Sequence, residues 1–279
     1  MDVGSYQVEF LSDGDFALDG GAMFGVVPYP LWSKSHPPDE RFRIAVTARC
    51  LLLRGHGRTI VVDSGNGDKL SAKQQEIYKI EPKSGRLLAS LARFGLTGED
   101  VTDVLLTHLH FDHAGGLTRP GDLQLTFPRA RHYVQKEHYA WACHPSLKDR
   151  ASFMPENYEP VREAGLLELL DGPEKLFADL ELVLFHGHTR ALQAVLVHGD
   201  PPLFYPSDLM PTSGHVRLAF NMGYDNFPLT TIEEKQTWLP RAARERWRVV
   251  FEHDAHVEWA HLEEKNGDFA LAAPVEVTR

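Results

Sequence analysis

The stretch Thr107-His108-Leu109-His110-Phe111-Asp112-His113-Ala114-Gly115-Gly116 carries three imidazoles and one carboxylate within six residues. It directly follows the apolar run Val104-Leu105-Leu106, which predicts a short buried strand, while Gly115-Gly116 predicts a turn or a helix start. Side chains on a turn at the end of a strand can converge on one point or on two neighbouring points. Imidazole nitrogens and Asp oxygens bind zinc, iron or manganese, and a site with no Cys ligand favours catalysis over a structural role.

Three further segments place metal-binding residues behind an apolar strand. Gly187-His188-Thr189 follows a strand predicted at Leu180–Phe185, Asp208 follows Leu203-Phe204-Tyr205, and His253-Asp254 follows Val249-Val250-Phe251 and Glu252. With the H-x-H-x-D-H motif in front, these four segments stand in the order found in the metallo-β-lactamase-fold hydrolases. The chain resembles that family over residues 107–254.

The resemblance implies an α/β fold, a four-layer αββα sandwich of two mixed sheets with helices on the outer faces. No low-complexity linker or internal repeat interrupts the sequence, so a single domain over residues 1–279 is expected. Within it, residues 139–172 are predicted to form a helical cap inserted beside the metals.

The resemblance also implies two divalent metal ions. One ion would be held by His108, His110 and His188, the other by Asp112, His113 and His253, and Asp208 would bridge them. Two such ions share a water and lower its pKa, so the expected nucleophile is a metal-bridging hydroxide. Asp112 and Asp208 are the predicted catalytic carboxylates, with Asp112 as general acid and base. Zinc is the first expectation for the metal, and iron, manganese and cobalt are alternatives.

The other histidines are given different roles. His186 would share a face with His188 and is predicted to support that ligand or to lie on the surface. His253 is preferred over His256 as a ligand because it follows the apolar run closely. The remaining histidines in polar or turn-like surroundings are predicted at the surface: His36, His56, His132, His138, His144, His198 and His261. Asp63 would lie beneath the metals or cap a turn.

Two segments are expected to determine the substrate specificity. Residues 20–32 are unusually apolar and rich in Gly and Pro, so they either overhang the pocket or pack under a helix. The second is the predicted cap. The residues predicted to contact substrate are Met23, Phe24, Trp32, Phe111, His215 and Tyr224.

Within the family, the chain looks most similar to the lactonases and organophosphate-ester hydrolases. The expected reaction is hydrolysis of a lactone or of a carboxylic or phosphoric ester. Acyl-homoserine lactonases carry a Tyr after the bridging Asp, whereas Leu209-Met210-Pro211-Thr212 follows Asp208 here, and Tyr205 or Tyr224 would have to replace it. The alternatives are a glyoxalase II-like thioesterase, for which no basic cluster is visible, and a persulfide dioxygenase with a single iron. A non-catalytic scaffold would be expected to have lost ligands.

Composition restricts the partners. The formal charge of −10, from 29 basic and 39 acidic residues, disfavours nucleic acid, and no apolar run is long enough to span a membrane. A small-molecule substrate and a cytoplasmic location are expected. The oligomeric state stays open, because the apolar N-terminal segment could pair across a homodimer instead of lining the pocket. Cys50 and Cys143 are predicted to be buried free thiols.

Overall fold

The computed structural model describes residues 1–81 and 85–276, so residues 82–84 and 277–279 of the predicted domain lie outside the described residues. The chain divides into two compact units. Unit 1 contains Met1–Gly14 and Ala48–Pro173, and unit 2 contains Asp15–Thr47 and Glu174–Arg279.

The first sheet has the strand order β1 to β7 and lies in unit 1, apart from the ends of two long strands that unit 2 contains. Its strands are β1 (Asp2–Val3), β2 (Tyr6–Asp19), β3 (Arg43–Gly55), β4 (Arg58–Val62), β5 (Asp103–Leu105), β6 (Arg131–Gln135) and β7 (Leu167–Leu170). The pairs β1–β2 and β3–β4 are antiparallel, whereas β4, β5, β6 and β7 run parallel. The carboxyl ends of these parallel strands therefore lie along one edge, where loops carry functional residues.

The second sheet lies in unit 2, with the order β14-β13-β12-β11-β10-β9-β8. Its strands are β8 (Glu174–Phe177), β9 (Leu180–Phe185), β10 (Leu192–Val197), β11 (Leu203–Tyr205), β12 (Arg248–Val250), β13 (Val257–Lys265) and β14 (Asp268–Glu276). Only β11 and β12 pair in parallel among these neighbours, so both sheets of the described residues are mixed, as predicted.

Eight α-helices accompany the sheets in the described part of the chain. They are α1 (Gly20–Phe24), α2 (Tyr29–Trp32), α3 (Ala72–Tyr78), α4 (Arg86–Ala92), α5 (Phe111–Ala114), α6 (Lys136–Cys143), α7 (Pro155–Glu163) and α8 (Pro228–Arg244). None of the helices in this part of the chain is long and apolar enough to cross a membrane.

Each unit has its own apolar core. The sequence predicts an amphipathic helix over Gly85–Phe94 that faces the core. In unit 1, Leu87 and Leu91 of α4 do pack with Val61, Val104 and Leu106 of the sheet region. In unit 2, the core contains the largest buried side chain of the chain, Trp247, packed edge to face on Phe204. Burying whole aromatic and aliphatic side chains supplies most of the free energy that holds each sheet to its helices.

The predicted strands recur with small shifts of their ends, and β2 shows the largest difference. The sequence predicts a strand over Tyr6–Phe10. The structure continues the strand to Asp19, with Gly14 at a φ of 103°. A Cβ at Gly14 would lie 2.9 Å from Cδ of Arg86, so a tertiary contact selects glycine inside this strand.

The predicted start of α8 is wrong by several residues. The sequence predicts a helix over Ile232–Arg246 with Thr230 or Thr231 as its N-cap. In the structure, Phe227 holds the N-cap position and Pro228 opens the helix. Proline suits the first helical turn because its missing N–H would have no partner within the helix. Thr231 is fully buried within α8 instead.

Residues 139–172 contain the end of α6 and all of α7, and their role as a cap stays a prediction. Their last part, however, forms β7, which pairs in parallel with β6 and so belongs to the first sheet. The remainder carries α7 and Phe153, whose ring lies against His110 with 4.7 Å between ring centroids. This segment therefore touches the histidine motif from within unit 1.

The prediction of a surface position is wrong for three histidines, and the prediction of burial is wrong for one cysteine. His36, His132 and His138 are buried, with exposed fractions of 5%, 0% and 0%. Cys143 is exposed, whereas Cys50 is buried as predicted. His132 lies on β6 opposite Val104, so its position in a central parallel strand overrides its polarity.

We expect His132→Leu to stabilise the protein at acidic pH. Burial lowers the pKa of His132 from 6.5 to about 4, so the unfolded chain binds a proton in this window that the folded chain does not bind. The wild type therefore loses stability as the pH falls from about 6.5 to 4, and the Leu variant lacks this loss. Relative to the wild type, its free energy of unfolding should rise by about 2 kcal/mol between pH 7.5 and pH 5. Urea unfolding at both pH values measures the difference.

His144→Leu is the control, because His144 is exposed. A His132→Leu variant that differs from the wild type by the same amount at both pH values would contradict this account.

Candidate metal centre

The histidine motif of unit 1 occupies the turn between β5 and α5. His110 is extended, with φ −63° and ψ 156°, and forms the N-cap of the short helix that carries Asp112 and His113. The extended backbone puts His108 and His110 on one side, and the helical turn that follows puts His113 on the side of His110, a combination that neither a strand nor a helix alone would give. His108 and His113 are fully buried, and His110 and Asp112 keep only 6% and 8% of their surfaces exposed.

Close backbone packing fixes this turn. A Cβ at Gly115 would lie 2.0 Å from the carbonyl oxygen of Asn66, and a Cβ at Gly116 would lie 2.1 Å from that of Ser64. Ser64 Oγ also donates to the His113 carbonyl oxygen at 2.9 Å. Glycine is therefore required by space, because any side chain would separate the turn from the loop after β4.

Two ring nitrogens converge at the start of the motif. Nε2 of His108 lies 3.0 Å from Nδ1 of His110, and Nδ1 of His108 lies 3.1 Å from Oγ1 of Thr107. Two nitrogens bound to one tetrahedral zinc at about 2.0–2.1 Å would be roughly 3.3 Å apart. The pair therefore has a spacing that one metal ion can join.

Asp63 holds the second part of the motif. It is fully buried at a φ of 59°, and its carboxylate accepts hydrogen bonds from the backbone N–H and the hydroxyl of Thr107, both at 2.7 Å. The same carboxylate lies 3.1 Å from Nδ1 of His113. This contact confirms the prediction that Asp63 lies beneath the motif. With its hydrogen on Nδ1, His113 carries its lone pair on Nε2, which lies 3.8 Å from Oδ1 of Asp112.

His138 supports the motif and was missed by the sequence analysis, which placed it at the surface. Its Nε2 accepts a hydrogen bond of 2.8 Å from the backbone N–H of Leu109, between the two converging histidines. Buried on α6, it is fixed by a long-range contact that no local pattern in the sequence indicates.

Unit 2 brings together His188, Asp208 and His253, each on a turn that follows a strand of the second sheet. Oδ2 of Asp208 lies 3.1 Å from Nε2 of His188, and Oδ1 lies 3.3 Å from Nε2 of His253. One carboxylate thus presents a separate oxygen to each imidazole. All three side chains are buried, with exposed fractions of 3%, 6% and 1%.

Oxygen acceptors orient both of these imidazoles. Nδ1 of His188 lies 3.0 Å from Oδ1 of Asp225, and Nδ1 of His253 lies 2.8 Å from the carbonyl oxygen of Thr47. With the hydrogens on Nδ1, the lone pairs of both rings face the Asp208 oxygens. A lone pair and a carboxylate oxygen repel at such distances unless a cation balances them, and a divalent metal ion meets this requirement.

Asp225 is the functional residue of unit 2 that sequence reasoning missed. It is 3% exposed and lies in the loop before α8. Its residue type and surroundings in the sequence resemble those of other loop acids, and only the fold places it against His188.

The loop of His188 is held from α8. The Glu234 carboxylate accepts hydrogen bonds from the backbone N–H groups of His186 and Gly187, and burial raises its pKa to about 7. Nδ1 of His186 accepts from Ala191 N–H at 3.3 Å, so this ring serves its own loop. This contact agrees with the prediction that His186 supports the ligand loop and is not itself a ligand.

Most residues predicted to contact substrate are packed in the interior. In unit 2, the Phe24 ring stacks on Trp32 and on His215, with centroid separations of 5.3 and 4.6 Å. Met23, Phe24, Trp32 and His215 are all exposed by 4% or less, so this part of residues 20–32 packs inside the unit. Tyr224 is 37% exposed.

The structure gives His215 a different role from the predicted substrate contact. Its Nε2 lies 2.8 Å from the Met23 carbonyl oxygen, and its Nδ1 lies 2.8 Å from Oγ1 of Thr212. Burial lowers its pKa to about 3, so the ring is neutral, with Nε2–H donating to Met23. Both nitrogens are used internally, and His215 fastens α1 to the turn at Thr212.

Comparison with known proteins agrees with this geometry. Residues 44–263 match the model of the Metallo-beta-lactamase superfamily. An N-acyl homoserine lactonase AttM of Rhizobium radiobacter is 24% identical over 228 residues, which cover 76% of this chain and 82% of that protein.

Two solved structures are similar over almost the whole chain. A probable metal-dependent hydrolase of Staphylococcus aureus has a TM-score of 0.89 at 27% identity, covering 99% of this chain and 100% of the other. AidC, a dizinc quorum-quenching lactonase in complex with a product, has a TM-score of 0.80 at 20% identity, covering 100% and 97%. These similarities confirm the predicted sandwich fold.

We expect Asp225→Ala to weaken metal binding. Without its carboxylate acceptor, the Nδ1–H of buried His188 loses its partner and the ring loses its orientation. Loss of such a supporting contact typically lowers metal affinity by roughly 10–100-fold. Competition with a chromogenic chelator measures the affinity, and Asp171→Ala, which removes an exposed carboxylate, is the control. Equal affinities of the Asp225 variant and the wild type would contradict this role.

Proposed function

Because this chain belongs to the metallo-beta-lactamase superfamily, we propose that it binds two divalent metal ions and hydrolyses lactones, with carboxylic and phosphoric esters as secondary substrates. The family and the named relatives confirm the broader prediction of a metal-dependent hydrolase acting on ester or lactone bonds. The observation that carries the proposal is the Asp208 carboxylate, which has one imidazole on each oxygen.

The proposed ligands are the seven predicted from the sequence. His108, His110 and His188 are assigned to one ion, Asp112, His113 and His253 to the other, and Asp208 to both. Their burial supports the assignment, because side chains of this polarity are rarely buried in proteins without a partner of opposite charge. The oxygen contacts at Nδ1 of His113, His188 and His253 also support it, since each directs Nε2 as the ligand atom. Zinc is the proposed metal because the ligands are nitrogens and carboxylate oxygens.

When bound, two such ions would supply an activated water and polarise the substrate carbonyl. The chain's own part is to position its ligands and to move a proton. Asp112, at the edge of the buried motif, accepts the proton lost as the water attacks the carbonyl carbon. It returns that proton to the alkoxide oxygen when the ring C–O bond breaks. Asp63 and Asp225 hold the imidazoles and take no proton themselves.

A lactone is the preferred substrate because curated relatives are N-acyl homoserine lactonases. A solved structure of the same fold carries a hexanoyl-homoserine product. Similarity to the hydrolase AbOPH, at 17% identity, supports the fold alone. Phosphoric esters are therefore proposed as secondary substrates, after lactones. The homodimer and the exclusion of nucleic acid stay predictions.

The test combines metal analysis with turnover. We expect about two metal ions per chain by elemental analysis, and hydrolysis of γ-lactones, N-acyl homoserine lactones and aryl esters by the same sample. Asp208→Ala should lose metal and at least about 100-fold in kcat/KM, because the only carboxylate assigned to both ions is gone. His186→Ala is the matched control and should retain most activity.

Full activity of Asp208→Ala would contradict the two-metal assignment. One iron per chain, with oxygen consumption on a persulfide and no lactone turnover, would replace the proposal with the dioxygenase alternative.

A further inference from the structure

Tyr78 occupies an unusual position beside the histidine motif. It is the last residue of α3, a helix that begins with a reciprocal capping box between Ser71 and Gln74 and ends at Lys79 in the left-handed region. No residue of α3 is buried, so this helix contributes little to the core of unit 1. Its terminal ring is nevertheless in contact with the motif.

The contact is made through Phe111. The Tyr78 ring stacks on the Phe111 ring with 4.9 Å between centroids and 25° between planes. Phe111 is 6% exposed and opens α5, directly before Asp112. A stacked pair of this kind fixes the position of the half-buried Tyr78 ring and therefore of its hydroxyl.

The Tyr78 hydroxyl is used differently from the hydroxyls of Tyr133 and Tyr139 in the same unit. Tyr133 donates to Asp103 at 3.1 Å, and Tyr139 donates to Glu159 at 2.6 Å. Within residues 1–81 and 85–276, the structure gives the Tyr78 hydroxyl no hydrogen-bond partner. Because Phe111 directly precedes Asp112 in α5, the stack places the Tyr78 ring close to the carboxylate that we propose moves the proton. The charge of that carboxylate reaches the phenol.

We propose that Tyr78 contacts the substrate, donating a hydrogen bond from its hydroxyl to the leaving oxygen of the lactone. This inference rests on the proposed function. As the ring C–O bond breaks, the electron pair goes to that oxygen and Asp112 delivers the proton. Tyr78 keeps its own proton and stabilises the developing negative charge. A strongly basic alkoxide needs this help, whereas a weakly basic aryloxide such as p-nitrophenolate does not.

The choice of leaving group separates this role from a structural one. Tyr78→Phe keeps the ring and the stack on Phe111 and removes one oxygen atom. For γ-lactones and N-hexanoyl homoserine lactone, we expect kcat/KM to fall on the order of 100-fold, mainly through kcat. For p-nitrophenyl acetate, we expect a change below about threefold. Tyr133→Phe is the matched control, because its hydroxyl is already bonded to Asp103, and it should leave kcat/KM for both substrate classes unchanged.

A second readout is independent of turnover. Calorimetry with the ring-opened product N-hexanoyl homoserine should show weaker binding to Tyr78→Phe than to the wild type, at equal metal content. The new hydroxyl of the product is the atom that Tyr78 would contact.

The possible outcomes are distinct. An active wild type with an unchanged Tyr78→Phe variant overturns the inference and leaves the proposed function standing. Equal losses on lactone and aryl ester also overturn it, because they would assign Tyr78 to positioning Phe111. A wild type with no activity on any lactone contradicts the proposed function, and this inference fails with it.

Discussion

A buried imidazole must find an acceptor for the hydrogen on one nitrogen before its other nitrogen can serve as a ligand, and the candidate centre depends on this requirement. The structure meets it with a carboxylate at His113 and His188, and with a backbone carbonyl at His253. Each acceptor comes from a segment distant in sequence from the histidine that it holds. The segments that supply Asp63, Asp225 and Thr47 therefore belong to the candidate centre, although none of the three residues is a proposed ligand.

The strands determine where the proposed ligands are placed. Every proposed ligand follows the end of a strand within a few residues, so the sheets fix where each turn begins. Close packing of glycines then fixes the path of the turn. Gly187 illustrates this, because a Cβ there would lie 2.5 Å from the backbone nitrogen of Thr231 in α8. The same helix supplies Glu234, whose carboxylate accepts from the two N–H groups before His188. The rigid sheets and α8 thus position side chains that lie on irregular backbone segments.

The sequence predicts the fold class, most strands and the proposed ligands, because these features are local. Ligands within six residues, or directly behind an apolar run, can be recognised without knowing what packs on them. Asp225, His138 and Tyr78 could not be found in this way, since each acts through a contact made by distant segments. His132 and His215 show the opposite error, because polarity and loop position suggested exposure or a substrate contact where the fold encloses the ring.

The exposed helix α3 has a consequence for how this enzyme could change over evolutionary time. Capping residues and the Tyr78 ring stack help to hold the helix, and none of its residues is buried. Mutations along it can therefore accumulate at little cost in folding stability, while its last residue lies next to the motif. Selection for a new leaving group could therefore change α3, and the protein would not first need compensating mutations that stabilise its fold. In this chain, the residues that could change the substrate preference and the residues that keep the protein folded lie in different parts of the same unit.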